Sequence, residues 1–118
     1  MGIFRRKPDQ NKASQTLNEQ ILDLLPLPVI AVDHEQQVIW INQEARSLSV
    51  GRRPIQIGER AFNYFPDHVT GRLNLALQTR TQMRIRRCKL WGRVYDVDCV
   101  ALAGSLRGFL MLRPVMES

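Results

Sequence analysis

No run of apolar residues in this 118-residue chain approaches a membrane helix in length. Such a helix needs roughly 18 to 20, and the longest candidate, LLPLPVIAV, is broken by Pro26 and Pro28. A membrane span is therefore not expected. The basic N-terminus MGIFRRKPDQNK is followed by neither an apolar segment nor a small-residue cleavage site, which speaks against a secretory signal. Arg6 stands where a myristoylation pattern requires Ser or Thr, and a cytoplasmic setting is the default expectation.

Cysteine is equally scarce. Cys88 and Cys99 flank an expected hairpin turn at Trp91 and Gly92. That places them several residues apart on neighbouring strands, beyond the roughly 6 Å between α-carbons that a disulfide tolerates. Both are expected as reduced, small strand residues. Two cysteines and two histidines without ligand spacing offer no zinc site. Nucleophile elbow, phosphate loop and paired catalytic carboxylates are missing from the sequence, so catalysis by this chain is not expected.

What is present is the composition of one globular domain, with 44% hydrophobic and 24% charged residues and a mean hydropathy of −0.24. The net charge of +6 is split between the tail (Arg5, Arg6, Lys7, Lys12) and the segment RIRRCK, which has no interleaved stacking aromatics. This split favours a solvated, partner-facing basic surface over a nucleic-acid site.

Residues 1–15 are polar and basic without an apolar period and are expected as a flexible lead-in. Thr16 and Glu19 have capping-box spacing, and Leu17, Ile21, Leu24 and Leu25 share one face of a helix over 16–25 that Pro26 ends. Two β-rich runs, Val29 to Val32 and Val38 to Ile41, flank a polar turn in which the Asp33 carboxylate can bond a later amide, and Asn42 caps a short helix containing Ala45 and Leu48. The middle, 51–66, is irregular but carries Ile55, Ile57, Phe62, Tyr64 and Phe65, which are expected to fold against the core. Asp67 is expected to cap a longer helix whose Val69, Leu73, Ala76 and Leu77 face inward.

The last third reads as three strands. Apolar parity switches at Arg86 and Arg87, which predicts a β-bulge. Tyr95, Val97, Cys99 and Ala101 alternate with Asp96 and Asp98, one face buried and one wet, and the continuous run GFLMLRPV predicts a central strand. The fold class is α+β: a five-stranded antiparallel sheet covered on one face by helices, with an N-terminal flanking helix.

This order, with several residues at fixed spacing, resembles the PAS domain family, sensory modules found in sensor kinases, transcription activators and second-messenger enzymes. The resemblance runs from about Leu22 to Val115 and rests on LLPLPVIAVD, on Asp33 with Val38 and Asn42 following it, and on Ala45, LSVG ending at Gly51, Ile57–Gly58 and Phe65–Pro66. It places a PAS domain over 26–116. One departure is Gln36, where the family commonly carries glycine in the hairpin turn.

The resemblance implies a regulatory signalling module in bacterial signal transduction. It would act through a homodimer using Leu17, Ile21, Leu24 and Leu25 and through an effector protein such as a kinase, cyclase or transcription activator. A small hydrophobic ligand would be lined by Phe62, Phe65, Leu73, Leu77, Ile85, Tyr95, Val97 and Met111, and Asn42 would be a structural cap or a ligand contact. No cofactor is expected: GERAFNYF lacks the cysteine of the family's flavin photosensors. His68, in the first turn of the long helix, is the only weak candidate for the histidine that ligates haem in some members. The alternatives are a haem- or small-molecule-binding sensor and a basic nucleic-acid-binding adaptor.

Overall fold

The computed structural model describes residues 22–48, 54–102 and 107–116. Thr16, Leu17, Glu19 and Ile21 of the expected flanking helix, the lead-in over 1–15 and the stretch 49–53 lie outside the described residues. Leu22 and Asp23 are helical, and the Leu25 amide donates to the Leu22 carbonyl just before Pro26.

Strands β1 (Val29–Val32) and β2 (Val38–Ile41) form an antiparallel hairpin. One Asp33 carboxylate oxygen accepts from the amides of Glu35 and Gln37, each at 2.9 Å, which is the side-chain turn the sequence leads one to expect. The Gln36 amide donates to the Asp33 carbonyl, and Gln36 itself lies at φ 62°. A type I turn closed by a left-handed residue is a standard hairpin connection in which glycine is the usual occupant. Here the glycine geometry is kept with a glutamine in it, and the Gln36 amide nitrogen Nε2 donates to the Thr70 carbonyl at 2.8 Å.

Helix α1 (Gln43–Arg46) follows, then a 3₁₀ turn (Ala61–Asn63) and helix α2 (Asp67–Thr79). In α2, Pro66 and not Asp67 occupies the cap position: Pro66 is extended at φ −70° and ψ 165°, and Asp67 is the first helical residue, where its negative charge is favourable at the positive end of the helix dipole. Val69, Leu73, Ala76 and Leu77 are buried on the inner face as expected. Of the apolar residues in the middle segment, Ile55, Tyr64 and Phe65 are buried, whereas Ile57 and Phe62 are each 60% exposed.

Strands β3 (Met83–Leu90), β4 (Arg93–Ala101) and β5 (Gly108–Pro114) complete the sheet in the order β2-β1-β5-β4-β3, all pairs antiparallel, with β5 central. The bulge falls where parity switches: register shifts between Ile85 and Cys88, and Arg87 takes φ 52° with its amide on the Asp96 carboxylate at 2.9 Å. Trp91 and Gly92 both have positive φ, the pattern of a two-residue I′ hairpin. Cys88 pairs with Tyr95 and Cys99 with Met83, and both thiols are buried and free.

Register separates two faces. Ile30, Ile41, Leu110 and Cys99 lie in one cross-strand row and Leu112, Val97 and Ile85 in another, both turned toward α2 and the main core. Gly108 sits in this layer under α2. An added Cβ would lie 2.5 Å from the Val100 carbonyl oxygen and 2.8 Å from the Leu77 Cδ2, so the helix can approach β5 only because no side chain is there. Among the described residues, no helix is long and apolar enough to cross a membrane.

Candidate functional site

Asn42 is the junction that fixes the start of the sheet. Its Oδ1 caps α1 by accepting from the Ala45 amide at 3.0 Å and also accepts from the Val29 amide at 2.8 Å. Its Nδ2 donates to the carbonyls of Leu22 at 3.0 Å and Leu27 at 2.8 Å. The side chain is fully buried, and these four bonds exhaust what an amide side chain can make. The segment entering β1, the strand itself and α1 are thus tied at one point.

The expected pocket residues separate into three environments. Phe65, Leu73, Leu77, Tyr95 and Val97 are brought together in the main core, and Ile85 packs against it partly buried. Phe62 is not with them: it lies outside, on a surface cleft of about 380 Å³ shared with Gln36, Thr70 and Gly71. Met111 is also elsewhere. In β5 it is Leu110 and Leu112 that enter the core, and Met111 projects from the opposite face, in register with Val29 and Asp98. Tyr95 packs edge-on against Trp91 with ring centroids 6.2 Å apart, and Trp91 leans on Phe65 at 5.3 Å and donates its Nε1 hydrogen to the Tyr64 carbonyl.

His68 lies exposed in the first turn of α2, its Nε2 3.3 Å from the Cys88 Sγ. Burial pushes the Cys88 thiol above its ordinary pKa. For Cys99, burial first and the Asp98 charge second push it up to about 12. Both shifts run opposite to the lowered pKa that activates a cysteine as a nucleophile.

The sheet face turned away from α2 holds the second set of functional candidates. Trp40, Ala31, Phe109 and Val100 form one cross-strand row over β2, β1, β5 and β4, and Val29, Met111, Asp98 and Arg84 form the next. Trp40, Ala31, Phe109, Val100 and Met111 are half-buried. Asp98, expected on a wet face, is only 3% exposed. Arg84 donates to it from Nε at 2.7 Å, and Arg113 approaches at 3.6 Å. The hydrogen bond to Asp98, then its charge, raises the Arg84 guanidinium above its ordinary value. Leu24 is 83% exposed and Leu25 half-buried, while Leu17 and Ile21 lie outside the described residues.

No family model and no curated protein matches this chain. Solved structures do. A sensory box sensor histidine kinase from Vibrio cholerae is similar at TM-score 0.63 and 17% identity, over 92% of this chain and 95% of that one. The photoactive yellow protein domain of the sensor histidine kinase Ppr from Rhodospirillum centenum follows at TM-score 0.57 and 18% identity, over 80% of this chain and 91% of that one. The DhaR(N)-DhaL complex of E. coli is similar at TM-score 0.52 and 14% identity, over 94% of this chain and 39% of that one. At such identities the likeness carries the fold, and the fold is that of a PAS domain.

Proposed function

We propose that this chain is a sensory and regulatory signalling module that works by pairing with a second copy of itself and by contact with an effector protein, such as a kinase, a cyclase or a transcription activator. The observation that carries this reading is the sheet face turned away from α2, which no described helix covers. Trp40, Ala31, Phe109, Val100 and Met111 form an apolar patch continuous over four strands, half-buried and uncovered by α2. Patches of this kind on a small soluble domain mark contact surfaces. A two-fold axis through such a patch makes it its own partner, the isologous arrangement of most small homo-oligomers. We assign Leu24, 83% exposed, and Leu25 to the same contact.

Support comes also from the company the fold keeps: two of the similar structures belong to sensor histidine kinases, and the third is a complex with a second protein. The reading needs no reaction from this chain. Its interior residues Phe65, Leu73, Leu77, Tyr95 and Val97 form a core on the α2 side of the sheet, opposite the proposed contact face. Sedimentation and native mass spectrometry test it on the full chain, the latter also reporting any small hydrophobic ligand carried along. The wild type should be dimeric at micromolar concentration. The double variant Leu24→Glu with Phe109→Glu should be monomeric with an unchanged circular dichroism spectrum. A wild type that is monomeric at high micromolar concentration would sink the proposal.

A further inference from the structure

The two edges of the sheet are not equivalent. The outer edge of β2 is covered at its start by the chain itself: the Val38 amide donates to the Glu59 carbonyl and the Gly58 amide to the Val38 carbonyl, each at 2.8 Å, and Gln37 bridges to Arg60. The outer edge of β3, eight residues long, has no backbone partner among the described residues. It is also the most cationic strand. Arg84 is committed to Asp98, but Arg86, Arg87 and Lys89 are exposed, and no described acidic side chain pairs with them. The acid nearest the bulge, Asp96, binds the Arg87 backbone amide instead.

We infer that the β3 edge is a docking site for an extended acidic segment of a partner protein, which adds to the sheet as a sixth strand beside Arg86, Arg87 and Lys89. Strand addition satisfies the open row of backbone donors and acceptors and draws its selectivity from side chains along the edge. The charges choose among occupants. A second copy is excluded, because a two-fold pairing of β3 with itself would bring four cations per strand against their equivalents, and like charges across a ladder destabilise it. A nucleic acid would need a stacking platform, whereas the neighbouring Trp91 ring is engaged with Phe65, Tyr95 and the Tyr64 carbonyl. Bulge and cations together guard the edge against neutral and basic strands. The same feature selects for an acidic one. This site is independent of the apolar face proposed for dimerisation, and either can fail without the other.

The test uses the 118-residue chain and three probes: a synthetic peptide of alternating glutamate and valine, a peptide of equal charge with proline in place of valine, and a short DNA duplex. Anisotropy should report binding of the glutamate-valine peptide that weakens with salt, and hydrogen exchange should show new protection of β3 amides. The variant Arg86→Glu with Lys89→Glu should bind roughly tenfold more weakly, since two exposed attractions are lost and two repulsions gained. Its melting should be unchanged because both side chains are exposed. Equal binding of the proline peptide, preferential binding of the duplex, protection elsewhere than β3, or no binding at all would overturn the inference. Should the variant lose its fold, the exchange map of the wild type decides.

Discussion

At the scale of a residue, Asn42 carries more than a helix cap. Losing a cap alone costs about 1 kcal/mol. Asn42→Ala also strips the buried Val29 amide and the Leu22 and Leu27 carbonyls of their partners, and each buried polar group left unsatisfied costs about 1–3 kcal/mol. The variant should lose about 3 kcal/mol in urea unfolding. Asn42→Asp should fare little better at neutral pH, because it keeps the cap but turns an acceptor toward two carbonyl oxygens. A loss near 1 kcal/mol for the alanine variant would show that only the cap matters. The cap was legible in sequence, since Asn42 stands directly after an apolar strand and before a short helical pattern. Its other three bonds were not, because they reach residues 13 to 20 positions away whose proximity exists only once the sheet has formed.

At the scale of an element, the first hairpin contains a backbone strain and a compensation that can be separated. Gln36 sits at φ 62°, where a side chain costs about 1 kcal/mol or more, and its Nε2 bond to the Thr70 carbonyl returns about 1 kcal/mol. Gln36→Ala removes the bond and keeps the strain; Gln36→Gly removes both. The glycine variant should therefore be more stable than the alanine variant by about 1 kcal/mol and close to the wild type. Thermal unfolding of the three proteins checks this, and equal stability of the two variants would mean that the turn bears no strain. Element boundaries and parity were readable where pattern alternates: the bulge at Arg86 and Arg87 and the Trp91–Gly92 turn fall where expected. The reading failed where alternation stops carrying information. In GFLML, residues 108–112, no polar residue interrupts the run, so alternation within it does not say that Met111 faces away from the core; the parity cue is Arg113, two residues on. Phe62 and Ile57 are apolar yet exposed, because hydrophobicity is required of buried residues and not forbidden on the surface. Asp98 misled for the opposite reason: its face is open in pattern, but Arg84 and Arg113 from the flanking strands fold over it.

At the scale of the molecule, the chain order and the sheet order disagree in a way that makes the last strand decisive. The first hairpin, β1 with β2, and the long hairpin, β3 with β4, have no strand pairing to each other; β5 lies between them and bonds to both. Leu110 and Leu112, both fully buried, place the β5 side chains at the centre of the core beneath α2, and Gly108 allows the helix its closest approach there. A two-stranded hairpin is marginal by itself in water, so neither half has an independent route to stability. Truncation after Leu102, which removes β5 and leaves every other strand and α2 in the chain, should abolish the cooperative melting transition of the whole domain and not merely lower its midpoint. Circular dichroism during heating and dispersion of amide resonances at low temperature measure this directly. A truncated chain that kept a cooperative transition would mean that β3, β4 and α2 form a core of their own and that the N-terminal hairpin is an appendage to it.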